Sequence, residues 1–286
     1  MSTRSVSRRL PRMYRLLACD IDDTILAPDG SIPEANHRAL ERLHARGIAV
    51  VFSSGRATVS LRGIATRIIE PADDEYLISF NGARITSVLS GTVLSEQLLM
   101  PPVIETVLRY CREHQLLVHG FPGGRFLAER SNEDNLERSR RYAAGTRMDW
   151  ELVPDLAAAM PGGSAKLLII GDPDELPTHR ERLLALAGPR VDITTSKPVF
   201  LELVPQGVSK GAALTRLAAH LGIAIEETVA VGDSLNDAEM IRTAGRGVAV
   251  ANARDELKAI ADVVLDRRAE DGAIAELAER FFPEER

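Results

Sequence analysis

The chain has 286 residues, 45% hydrophobic and 27% charged, with 35 basic against 41 acidic side chains and a formal charge of −6. Those values exclude a collagen-like, coiled-coil or wholly disordered chain, and no apolar run approaches the roughly 18 residues of a membrane span. The basic residues are scattered rather than gathered into a nucleic-acid-binding stripe, and Cys19 and Cys111 alone make neither a disulfide framework nor a zinc site.

Residues 1–12 carry Arg4, Arg8, Arg9 and Arg12 and no acid. No apolar signal core follows them, so they read as a disordered tail. Residues 15–19 (RLLAC) are a short apolar run suited to a strand buried on both faces, ending at Asp20-Ile21-Asp22-Asp23. A helix over 33–46, stopped by Gly47, leads to a second such strand at 48–52, which ends at Ser53-Ser54-Gly55-Arg56. After another helical stretch, a third strand at 76–80 runs into Asn81-Gly82. Strand alternating with helix predicts an α/β fold, a doubly wound, Rossmann-like parallel sheet. Such sheets bind ligands at the carboxyl ends of their strands, where all three polar stretches fall.

The middle of the chain has a different rhythm. Residues 83–86 and 92–97 flank a Ser90-Gly91 turn, 101–114 read as a helix, and 116–121 with 125–129 form a second hairpin. A helix at 133–144, a strand at 166–170, a helix at 175–187 and strands at 191–194 and 199–204 follow. These elements predict an α+β domain over 84–204, inserted between two halves of a core at 13–83 and 205–286. The first rhythm then returns with a helix at 210–221 and a strand at 228–231 that ends in Gly232-Asp233-Ser234-Leu235-Asn236-Asp237. Helices at 238–243 and 254–261 and strands at 247–250 and 263–265 complete it.

Four of these strand ends and helix starts carry chemistry. Asp20 and Asp22 lie two apart on an extended segment, so both side chains point the same way. One carboxylate can stay ionised as nucleophile or metal ligand while the other is held protonated as general acid. Taken alone, the tripeptide is as readily a helix-capping loop. Asp233, Asn236 and Asp237 are oxygen donors packed closely enough for a hard cation such as Mg²⁺, and a single helix cap does not account for both acids. Ser54 can donate a hydroxyl to a phosphoryl oxygen, or cap a helix. Lys210 opens a helix, where a cation opposes the dipole and calls for a nearby anion, although a lone lysine is most often solvated surface.

In order, Asp-x-Asp, Ser, Lys and Gly-Asp-x-x-Asn-Asp resemble the haloacid dehalogenase superfamily, specifically its Cof-like phosphatases with a type IIB cap. The segments LLACDIDDTIL, GIAVVFSSGR, ISFNGARI, GVSKGAAL, TVAVGDSLNDAEMI, GVAVANA and EDGAIAEL carry the likeness. The insert matches in position, length and element pattern only. Two residues depart from the family's habit: Asp23 stands where glycine is common, and Ser54 where threonine is common. Serine keeps the hydroxyl, and Asp23 adds negative charge near the metal.

The resemblance implies that Asp20 attacks phosphorus and forms an aspartyl-phosphate, while Asp22 protonates the leaving alcohol and then activates the hydrolytic water. It places Mg²⁺ on the Asp20 carboxylate, the Asp22 carbonyl and Asp233, with Asp237 in the outer shell. Ser54 and Lys210 bind the transferring phosphoryl, Asn236 orients a metal water or Lys210, and Arg56 and Asn81 face the substrate; the alternative for Arg56 is a surface ion pair. The expected activity is hydrolysis of small phosphomonoesters such as sugar phosphates. A phosphomutase of the phosphomannomutase kind and a silent phospho-ligand-binding regulator are the alternatives, and the acid at Asp22 weighs against the second. His119 and Trp150 in the insert read as packing residues that could line a substrate pocket. The whole is expected to be a soluble, cytoplasmic protein, monomer or homodimer, with no nucleic-acid or membrane partner.

Overall fold

Short apolar runs become the buried strands of two sheets in the computed structural model, which describes residues 14–129, 133–146 and 150–284. The expected tail at 1–12 lies outside the described residues. In chain order the first five strands are β1 (Leu16–Cys19), β2 (Ala49–Ser53), β3 (Tyr76–Ser79), β4 (Arg84–Ser87) and β5 (Val93–Glu96). Six more follow: β6 (Leu117–Gly120), β7 (Leu127–Glu129), β8 (Glu151–Val153), β9 (Leu167–Ile170), β10 (Val191–Lys197) and β11 (Phe200–Pro205). The last three are β12 (Thr228–Gly232), β13 (Arg246–Ala249) and β14 (Val263–Val264).

One sheet has the order β14-β13-β12-β1-β2-β3-β4-β5 and the other β10-β11-β9-β6-β7-β8. In the first, β1 pairs in parallel with both β2 and β12, so Cys19 lies beside Phe52 on one side and Val231 on the other. From that centre the chain steps outward through β2 and β3 in one direction and through β13 and β14 in the other. The reversal puts a crevice at the carboxyl ends of β1 and β12, the place where α/β sheets bind ligands.

The hairpin β4–β5 corrects the expected boundary of the insert. Both strands extend the first sheet, β4 pairing antiparallel with β3 and β5 with β4. The cause is a reversal immediately after β3, where Phe80 (φ 53°), Asn81 (φ 56°) and Gly82 (φ 104°) are all left-handed. A side chain at position 82 would collide with the Ser209 carbonyl, so glycine is required there. The second sheet therefore takes its strands from 117–205, not from 84 onward. Three further differences are local. β8 and the helix Ala273–Phe281 were not anticipated, and the expected helix at 254–261 is the single turn Asp255–Lys258.

Each sheet has its own apolar core, and a third cluster joins them. It brings Phe80 and Ala83 of the first sheet's turn against Phe121, Phe126, Leu168 and Val204 of the second, with the Phe80 and Phe121 rings 5.5 Å apart.

His119 sits in the middle of the second sheet, fully buried, with Nε2 2.8 Å from Ser139 Oγ and its ring stacked on Tyr142. Its Nδ1 has no partner among the described residues. Burial first, and then the Lys166 charge, push its pKa down to about 3. The unfolded chain takes up that proton near pH 6.5, so between these values the unfolded state binds more protons and stability falls as pH drops. By pH 5 the loss from this residue is about 2 kcal/mol, given a folded pKa near 3. Urea unfolding followed through Trp150, the only tryptophan, should show His119→Phe losing less stability than the parent between pH 7 and pH 5. An equal loss in both proteins contradicts the assignment.

Candidate active site

The parallel register brings the predicted polar residues to one edge. Asp20 follows β1 and its amide donates to the Val231 carbonyl at 3.0 Å. Ser54 follows β2 and Asn81 follows β3, and the Asn81 amide donates to the Ser54 carbonyl at 3.0 Å. Asp233 follows β12, whose final Gly232 has no room for a side chain because the Asp237 carboxylate lies where a Cβ would go.

Lys210 is at the centre. It begins the helix Lys210–His220, capped by Ser209, whose hydroxyl accepts from the Ala212 amide at 3.0 Å. Its side chain is fully buried and donates from Nζ to Asp20 Oδ1 and, at 2.6 Å, to Asp237 Oδ1. These two carboxylates are the anions that a lysine at this helix start calls for. Burial alone would lower the ammonium's pKa, but Asp20 and Asp237 together hold it above the ordinary value. Burial, and next the charge of Asp237, hold Asp20 well above the usual carboxylate range against the pull of Lys210. The same two causes raise Asp233 to about 6.

Asp20, Asp233 and Asp237 place carboxylate oxygens within 4.8 Å of one another. Hard oxygen donors at this spacing, with burial holding the Asp20 and Asp233 carboxyls above their ordinary pKa, fit a divalent cation such as Mg²⁺, which would relieve the mutual repulsion. Asp237 has both oxygens engaged already. Oδ1 accepts from Lys210, and Oδ2 accepts from the Asp233 and Ser234 amides, each at 3.1 Å.

Asp22 is half-exposed and gripped by Arg56, with Nε to Oδ2 at 2.9 Å and Nη2 to Oδ1 at 2.6 Å. Arg56 thus forms an ion pair in this arrangement and also faces the cleft. The Ser54 hydroxyl is buried and accepts from the Arg56 amide at 3.2 Å. Asn236 donates to Asn81 Oδ1 at 3.2 Å, linking the two strand ends. Asp20, Asp22, Ser54, Arg56, Asn81, Asp233 and Asn236 line one cleft of about 1340 Å³, while Lys210 and Asp237 lie beneath its floor.

The cleft also has a wall that the sequence reading missed. Lys166, Glu202, Tyr142 and Phe200 reach it from the second sheet and its helix. The available signal was a charged residue inside an apolar run, in AKLLII and FLELV. An ion there has to find a buried partner. His119 packs behind this wall and does not line the cleft.

A family model described as haloacid dehalogenase-like hydrolase matches residues 17–277. The chain is 35% identical over 247 residues to the HMP-PP phosphatase of Cronobacter sakazakii, covering 86% of this chain and 88% of that one. Among solved structures, a haloacid dehalogenase-like hydrolase from Bacteroides thetaiotaomicron superposes with a TM-score of 0.86 at 29% identity, covering 94% of this chain and all of the other. A Thermotoga maritima structure gives 0.83, also at 29% identity, over 94% of this chain and 97% of its own. The match spans the strand ends that carry Asp20, Ser54 and Asp233 and the helix start at Lys210, and the chain belongs to the haloacid dehalogenase-like hydrolases.

Proposed function

We propose that the protein is a Mg²⁺-dependent Cof-like phosphatase that hydrolyses small phosphomonoesters through an aspartyl-phosphate at Asp20. The observation that carries this reading is the buried Lys210, bridging Asp20 and Asp237 beside Asp233, with a second carboxylate at Asp22 on the same edge. The core is taken as 13–83 and 205–286, joined by the hairpin at 84–96, and the rest of the insert as a cap over the cleft. HMP-PP, the compound in the relatives' name, is the first substrate to test alongside sugar phosphates. Hydrolysis in relatives of this similarity supports water, rather than a second sugar, as the final acceptor.

In the first half-reaction an Asp20 oxygen forms a bond to phosphorus as the bond to the leaving oxygen breaks, and Asp22 gives that oxygen its proton. In the second, Asp22 takes a proton from water, the water oxygen attacks phosphorus, and Asp20 leaves as a carboxylate with inorganic phosphate released. The Arg56 fork occupies both Asp22 oxygens, so substrate entry has to displace it before Asp22 can carry a proton. Lys210 keeps Asp20 aimed and its charge compensated, and the Ser54 hydroxyl meets a phosphoryl oxygen. Asp20, the Asp22 carbonyl and Asp233 would hold Mg²⁺, which supplies charge neutralisation at the phosphoryl oxygens. Asp237, bound on both oxygens, orients Lys210 and the Asp233 backbone.

Asp20→Asn is expected to lose at least about a thousandfold in kcat while keeping its circular dichroism, since the amide is nearly isosteric but a poor nucleophile. Substantial turnover by the pure variant contradicts the covalent route. Asp22→Asn separates the two half-reactions. With p-nitrophenyl phosphate, whose leaving group needs little help, it should release a burst close to one equivalent and then stall. Slow linear release without a burst argues against a role for Asp22 in the second step. Metal removal gives an independent check, as excess EDTA should stop phosphate release and Mg²⁺ restore it. Ca²⁺ should restore it poorly because it prefers more ligands at longer distances, and full activity in EDTA would exclude the metal.

A further inference from the structure

The second sheet does more at the cleft than cover it. Lys166 directly precedes β9 and Glu202 lies on β11, yet both charged ends leave their own sheet and enter the loops of the first. Lys166 Nζ donates to Glu202 Oε2 at 3.2 Å and to the Gly55 carbonyl at 3.1 Å, and lies 5.3 Å from the centre of the Phe121 ring. Asn81 Nδ2 donates to the same Glu202 oxygen at 3.2 Å, and Asn81 Oδ1 accepts from Asn236 at 3.2 Å. Both members of the pair are buried. The contacts therefore run from one ion pair to the residue after Ser54, to the turn after β3, and through it to the residue before Asp237.

Stability does not explain this arrangement. A buried ion pair is often no better than apolar residues of the same size, and the pair sits beside the apolar cluster of Phe121, Ala165, Leu168 and Val204 that already joins the sheets. Its aim is specific instead. Asn81 and Phe80 are consecutive non-glycine residues in the left-handed region, a conformation that persists only where the surroundings over-determine it. Glu202 and Asn236 are the side chains that hold Asn81 from either side. Gly55 packs so closely that a Cβ there would lie 2.9 Å from Asn81 Oδ1, so movement of one loop is felt by the other.

We propose that Lys166 and Glu202 are positioning residues, which set the Ser54–Arg56 and Phe80–Gly82 loops for phosphoryl transfer only when the second sheet is seated on the first. This rests on the phosphatase reading above, but its structural half can be tested without it. Two variants of the full chain serve. Lys166→Met/Glu202→Leu removes both charges together and strands no buried ion, and Glu202→Gln keeps an acceptor oxygen for Asn81 while losing the charge. The first readout is amide hydrogen exchange in peptides covering 53–57 and 79–83, with β1 and β12 as the internal reference. In the double variant both peptides should exchange at least about tenfold faster while the reference is unchanged, and Glu202→Gln should lie between the double variant and the parent. The second is hydrolysis of p-nitrophenyl phosphate in Mg²⁺, where kcat of the double variant should fall about 10- to 100-fold with KM within about threefold. If the double variant fails to fold, Glu202→Gln carries both comparisons, with smaller changes in the same directions. Exchange and kcat both within twofold of the parent overturn the proposal. So does faster exchange with unchanged kcat, or a fall in kcat without faster exchange, since the pair then does not act by holding the loops. A parent protein with no hydrolysis sinks the phosphatase reading alone, and the exchange comparison still decides the positioning.

Discussion

The site depends on one buried ammonium shared by two carboxylates. Lys210 has no exposure to solvent, and its contacts with Asp20 and Asp237 are the reason three acids can be gathered at one sheet edge. Removing one partner from such a group leaves an uncompensated buried charge, a loss of about 3–5 kcal/mol. The arrangement therefore fixes the Asp20 oxygen toward the cleft and fixes Asp237 over the backbone of Asp233 at the same time. Burial and the neighbouring acid raise the pKa of both Asp20 and Asp233. The floor of the cleft is thus short of positive charge, a deficit that a divalent cation can fill.

That charge arrangement is possible because the sheet is wound outward from β1 and β12. Four strand ends and one helix start from different parts of the chain meet with little backbone between them, and close approach dictates small residues at the joints. Gly82 against the Ser209 carbonyl and Gly232 against Asp237 are the clearest cases. The second sheet then supplies the opposite wall, bringing side chains that the first sheet lacks. The Phe80–Phe121 contact and the Lys166–Glu202 pair are the apolar and ionic parts of that junction.

Most of the first sheet was legible in the sequence because each of its central strands is an apolar run cut off by polar residues. The motifs fall at those cuts, so reading the strands also located Asp20, Ser54, Asn81 and Asp233. The hairpin at 84–96 was misplaced with the insert because its turn relies on left-handed Phe80 and Asn81, and non-glycine residues seldom signal that conformation. Pairing partners were equally hidden. Nothing in the spacing says that Arg56 grips Asp22, or that Asp237 spends both oxygens on Lys210 and on backbone amides. The far wall was least legible, since Lys166 and Glu202 are single charged residues in otherwise apolar runs, 36 positions apart, and only the folded sheet brings them to Gly55 and Asn81.

In the proposed reaction the carboxylate held by Lys210 is the one that takes the phosphoryl group. Mass spectrometry of protein quenched in acid during turnover tests it most directly, with Asp22→Asn used to let the intermediate accumulate. The peptide containing Asp20 should carry the added mass of one phosphoryl group, lost on treatment with hydroxylamine as an acyl phosphate should be. An unmodified Asp20 peptide in Asp22→Asn protein that has released its burst of product, or a phosphoryl group on another residue, would contradict it.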